Sequence, residues 1–218
     1  ASSGEGATLD GQGETGLFKL ENGCSLTLRR LNLVNGRAGP WPDVYGGVVY
    51  AYKAGDVEII DSTVTHCSAD NNGGVVYADH SGAVSLIGST VTSCSAGRSG
   101  GVVNALTSGA VSLIKSTVTN CSADLVRRVE LALVLAALHK ASRASPWQSG
   151  GATKTWGSDL IVTDSSISGC NAAYGGAVYV HSGSASLARS NISNCIASDY
   201  GGGLYSAGGS TSLSESTL

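Results

Sequence analysis

The chain has 218 residues, of which 42% are hydrophobic and 13% charged, with 31 glycines and a formal net charge of −3. That is enough apolar material to fill a narrow core, so wholesale disorder is not expected. The charge balance lacks the basic stripe that nucleic acid requires, and no apolar run reaches the roughly 18 residues that span a membrane.

The first segment, ATLDGQGETGLFKLENGCSLTLRRLNLVNG, is already related to the later ones. Leu26, Leu28 and Leu33 match Val57, Ile59 and Val64, with Gly36 in the position of a later cysteine. From Gly46-Gly47 the repeat becomes explicit. Gly46-Gly47, Gly73-Gly74 and Gly100-Gly101 open three copies spaced by 27 residues, and Cys67, Cys94 and Cys121 close them. Self-similarity at such a period signals a solenoid, in which each copy buries its apolar face only against its neighbours.

Within a copy the period is two. Val76 and Ala78 alternate with Val75 and Tyr77, Ser81-Gly82 breaks the run, Val84 and Leu86 resume it, Gly88-Ser89 breaks it again, and Val91 stands between Thr90 and Thr92. These are three short strands with Gly, Ser and Asn turns, and they leave no room for a crossover helix. The chain must coil so that each strand pairs in parallel with its counterpart one rung later. The general handedness of parallel connections predicts a right-handed coil.

After Cys121 the pattern is interrupted. Residues 125–147, LVRRVELALVLAALHKASRASPW, are rich in strong helix formers, with Asp124 as a cap and Pro146 beyond the end. This segment is expected to be a helical insertion in one turn, either docking on the coil, on a partner or on a membrane surface, or having no selected role. The repeat then resumes in register at Gly150-Gly151, Gly175-Gly176 and Gly201-Gly202. There is no methionine, and the chain stops within a rung at Leu218, so the chain reads as a piece of a longer protein. The expected architecture is therefore all-β: one right-handed parallel β-helix domain over 1–218, of about six or seven rungs.

Stacking converts sequence columns into ladders. The inward ladders run Val49, Val76, Val103, Val178, Leu204; Val57, Val84, Val111, Leu160, Ala185; Ile59, Leu86, Leu113, Val162, Leu187; and Val64, Val91, Val118, Ile167, Ile192. Cys67, Cys94, Cys121, Cys170 and Cys195 form a further column, and Cys24 lies outside it. Metal ligation and disulfides are open to such a column, but zinc wants converging tetrahedral ligands and parallel Cβ vectors suit a disulfide poorly. Buried thiols acting as small hydrophobes are the preferred reading, with no metal and no cofactor.

Two outward columns are candidate binding surfaces. Tyr50, Tyr77, Asn104, Lys154, Tyr179 and Tyr205 share one position of the first strand, where tyrosine could stack on sugars or protein partners or be only a favoured strand residue. Thr63/Thr65, Thr90/Thr92 and Thr117/Thr119 form a paired-threonine ladder that resembles the ice-facing surface of some β-solenoid antifreeze proteins. Of the four histidines, His66, His80, His139 and His181, His80 and His181 fall in related turns two or three residues before a strand, and neither has a Ser or Cys with an Asp at catalytic spacing; Asp43, Asp70, Asp124 and Asp199 supply only one turn acid per rung. No catalytic residue is assigned.

The strings VTHCSADNNGGVVYA, VTNCSA and ISGCNAAYGGAVYV resemble the right-handed parallel β-helix repeats of the pectate-lyase-like superfamily. They are most similar to the polymorphic outer-membrane protein type, Phe-x-x-Asn followed by Gly-Gly-Ala-Ile, with Val or Ile for the Phe and Cys for the Asn. The resemblance implies a secreted or surface-displayed protein, often an adhesin that binds a glycan or a surface protein. Its enzymatic relatives cleave acidic polysaccharides with clustered aspartates that have no match here. The function expected is a non-catalytic extracellular adhesive module, with a polysaccharide lyase or hydrolase as the alternative and ice binding as a distant one.

Overall fold

A computed structural model describes residues 6–40, 44–123 and 149–218. It is a parallel β-solenoid of about seven turns. One rung shows the construction: strands Val76–Asp79, Val84–Ile87, Thr90–Thr92 and Ser95–Ala96 succeed one another around the coil. Their counterparts in successive rungs stack into four parallel sheets, three of seven strands and one of six. We call these the first, second, third and fourth faces in that order.

The three longer strands are those expected from the sequence, and the register is the one the columns require. Val76 pairs with Val49 and Val103, Leu86 with Ile59 and Leu113, and Val91 with Val64 and Val118. The fourth face is additional. Its strands, such as Ser68–Ala69 and Ser122–Ala123, are two residues long in the middle rungs, too short to show a period, so the sequence reads as turn.

The core is a single column of branched side chains. The inward ladders are buried throughout, apart from Leu204, which is half-buried in the last rung. Thr153 and Thr155 take inward positions of the first face where other rungs carry Val and Ala, and neither hydroxyl has a partner. The helical expectation for 125–147 lies outside the described residues. The rungs on either side pair directly, Val103 with Thr153, Leu113 with Val162 and Val118 with Ile167.

Corners are turned by single residues with positive φ. His80 (50°), Asp61 (47°), His66 (56°) and Asn120 (54°) all sit there, as do Gly46, Gly73 and Gly100. Asn, Asp and His tolerate this region better than most residues. Two of the chain's histidines are thereby accounted for as corner residues.

Candidate binding site

The first face gathers most of the aromatic residues. Its outward column runs in register through Lys19, Tyr50, Tyr77, Asn104, Lys154, Tyr179 and Tyr205. Tyr50 and Tyr77 stack with ring centroids 5.7 Å apart and 6° between planes, and Tyr179 and Tyr205 stack at 5.3 Å. The column does not form one open surface. Tyr50, Tyr179 and Tyr205 are half-buried, whereas Tyr77, Asn104 and Lys154 are buried. The candidate Asn104 is only 1% exposed and both of its amide atoms lack a hydrogen-bond partner. Its expected place as a solvent-facing contact is corrected: it belongs to a covered middle that separates two groups of rings.

Sequence reasoning misses the overhanging rings. Tyr45, Tyr174 and Tyr200 each immediately precede a Gly-Gly pair. Asn72, Ser99, Ser149 and Tyr174, which occupy the same offset, bridge to one another in series, so this is a column of its own. From it Tyr45 reaches Tyr77 at 4.6 Å and Tyr50 at 6.2 Å, and Tyr174 reaches Tyr205 at 5.8 Å. The shared offset before Gly-Gly is the signal that could have found them. Trp156 and His181 belong to a third column, two residues beyond Lys154 and Tyr179 on the same strands, and the two rings stack at 4.1 Å. The sequence puts His80 and His181 in related turns; His80 is a corner residue, whereas His181 ends a strand.

Two ring clusters result. At the start of the face, Tyr45 and Tyr50 join Leu17, Phe18, Lys19 and Arg37 around a hollow of about 690 Å³, within the range of ligand pockets. Lys19 is engaged by Glu21 at 3.1 Å and Arg37 by Asp70 at 3.5 Å. Toward the far end, Trp156, His181, Tyr179, Tyr205, Tyr200 and Tyr174 form a continuous ring patch. Trp156 is 40% exposed and Tyr200 62%. Lys154 lies beneath the patch, its Nζ 5.9 Å from the Trp156 centroid and 5.7 Å from Tyr179, and donates to Ser99 Oγ at 3.2 Å. Burial, with Arg98 nearby, lowers the Lys154 amine to about 8. Burial also raises the phenol of Tyr77 well above its ordinary value.

The threonine column is as regular as expected. Thr63, Thr90 and Thr117 are exposed, and Thr65, Thr92 and Thr119 half-buried, in register on the third face. Thr92 and Thr119 share a hydrogen bond at 3.0 Å. A second hollow, of about 470 Å³, lies along the corner between the second and third faces. Its Asp164 and Arg189 hold each other through two hydrogen bonds of 2.7 and 3.1 Å, which lowers the carboxyl and raises the guanidinium.

Among the described residues no group of three or more His, Cys, Asp or Glu gathers as a metal site, and no helix is long and apolar enough to cross a membrane. Comparison with known protein families, curated proteins and solved structures finds no match.

Proposed function

We propose that this chain is a non-catalytic module of the cell surface or extracellular space that holds a glycan or a surface protein against the first face of its coil. The observation that carries the reading is the far ring patch. Six rings form a continuous chain of contacts, four on strands of the first face and Tyr174 and Tyr200 at the ends of strands of the fourth, with Trp156 and Tyr200 open to solvent. A preorganised platform has little conformational entropy left to lose on binding, and aromatic residues are the usual anchors of recognition surfaces. The resemblance of the Cys-to-Gly-Gly strings to surface β-helix repeats supports the same location and the same adhesive role.

The test is retention on a glycan array and on intact cell surfaces, comparing the chain with its Trp156→Ala, Tyr205→Ser variant. Binding by the first and loss by the second, at equal folded content, is the expected outcome. Release of product from pectin or alginate would instead favour the polysaccharide lyase or hydrolase alternative. The paired threonines support a second reading: three rungs present Thr-x-Thr in register on one face, as an ice-facing surface does. It predicts thermal hysteresis that is lost in Thr90→Tyr, and an absence of hysteresis removes it.

A further inference from the structure

Tyr174, Tyr200 and Tyr205 form a triangle of phenol rings toward the far end of the coil, with centroids 5.9, 5.8 and 6.1 Å apart. Tyr174 and Tyr200 are register partners on the fourth face, one rung apart. Their rings stack at 5.9 Å with 27° between planes, whereas Tyr174 and Tyr205 are tilted by 52°. Tyr200 is 62% exposed and Tyr174 half-buried, so a reagent in solution reaches both. The other phenol triangle, Tyr45, Tyr50 and Tyr77, closes around Tyr77, which is only 7% exposed. Desolvation, and then the nearby carboxylate of Asp199, raise the Tyr174 phenol. A carboxylate in that position is a ready acceptor for the proton that a phenol sheds on oxidation.

We propose that Tyr174 and Tyr200 are an oxidative cross-linking site, at which a one-electron oxidant of the peroxidase class joins them as a dityrosine and ties two successive rungs together. The paired strands hold the two phenols as neighbours, so coupling is an intramolecular step between groups already placed side by side. Both residues stand at the ends of their strands, where the rings have room to turn the short distance that bond formation requires. Coupling needs no ligand on the ring patch and is independent of recognition there.

Each phenol gives up one electron and its O–H proton and becomes a phenoxyl radical. The two electrons pass through the peroxidase to one hydrogen peroxide, which takes up two protons and leaves as two waters. The radicals form one carbon–carbon bond between ring positions ortho to the oxygens. The hydrogens on those two carbons then move to the oxygens and restore both phenols. The chain ends lighter by two hydrogen atoms. The new bond closes a loop between residues 174 and 200, which restricts the unfolded state as a disulfide does.

The experiment treats the dilute, folded chain with a haem peroxidase and one equivalent of hydrogen peroxide, isolates the monomer, and maps its cross-linked peptides by mass spectrometry. The expected product is a fluorescent monomer lighter by two hydrogens, linked between Tyr174 and Tyr200, that melts above the untreated chain. Tyr174→Phe and Tyr200→Phe should each lose this product, whereas Tyr50→Phe should form it in parent yield. In urea the unfolded chain should link its tyrosines in a scattered pattern. The same scatter in the folded chain, links between copies only, or oxygen added at Trp156 without the Tyr174–Tyr200 bond would overturn the proposal. So would a parent yield in either far-end variant, or a linked chain that melts no higher than the untreated one.

Discussion

Ser89 Oγ accepts the backbone N–H of Ser62, one rung earlier, at 3.2 Å and donates to the carbonyl of Ile87 at 3.0 Å. The same arrangement recurs at Ser116, Ser165 and Ser190, each accepting the N–H of the serine before it. A polar ladder thus runs beside the core where the second face turns into the third. Removing one hydroxyl leaves the N–H of Ser62 without a partner in a buried setting. Ser89→Ala should therefore cost about 1–3 kcal/mol. Urea denaturation gives the value, and an unchanged midpoint would show that the ladder adds nothing to stability.

The second glycine of each pair faces a steric limit rather than a conformational one. A Cβ on Gly74 would overlap the carbonyl oxygens of Gly101 and Ser95, both backbone atoms that cannot turn aside. Gly13, by contrast, has open space around it and only a positive φ of 71°. Gly13→Ala should cost the roughly 1–2 kcal/mol of a left-handed non-glycine residue. Gly74→Ala should cost distinctly more, because it spreads two rungs apart. Equal midpoints for the two variants would count against this close approach.

Lys154 links the aromatic face to pH. It is 6% exposed, and desolvation, with Arg98 second, takes its amine from the usual 10.5 to about 8. A lysine whose folded value is depressed carries its penalty in full below the folded value. Between about pH 8 and 10.5 the unfolded chain holds more protons than the folded one, so stability rises with pH across that window. At 1.36 kcal/mol per unit the penalty at neutral pH is on the order of 3 kcal/mol. Lys154→Met should raise the urea midpoint at pH 7 and flatten the rise between pH 7.5 and about 10. The same rise in the variant would place its origin elsewhere.

The ladders legible in the sequence are those with both a period and a copy to align against. Val57, Val84 and Val111 alternate with polar neighbours and recur at one offset, so their stacking can be counted out. The cysteines and the paired threonines are legible for the same reason. Features that depend on the turns are not. Ser89 reads locally as a break in a strand, and its hydroxyl bridge exists only once Ser62 is stacked beside it. Tyr45 and Tyr174 read as loop residues, because a positive-φ glycine after each swings the ring over the first face, and no alternation records that. Asn104 and Tyr77 share a strand position with Tyr50, yet both are buried.

The tyrosines of the first face therefore divide into structural and available members. Tyr77 is 7% exposed, held 4.6 Å from Tyr45 and 5.7 Å from Tyr50. Truncating a buried aromatic typically costs about 3–5 kcal/mol, so Tyr77→Ser should lower the melting temperature sharply. Trp156 is 40% exposed, with a partner in His181 at 4.1 Å and a cation beneath it. Its loss should cost no more than about 1–2 kcal/mol, the worth of an aromatic pair and a cation–π contact at a partly exposed site. The two variants separate stability from recognition. Trp156→Ala should melt near the parent chain yet lose retention on the array, whereas any loss in Tyr77→Ser should track its unfolded fraction and be restored on cooling. Retention that survives Trp156→Ala at full strength would move the binding surface off the far ring patch, toward the hollow beside Tyr45 and Tyr50.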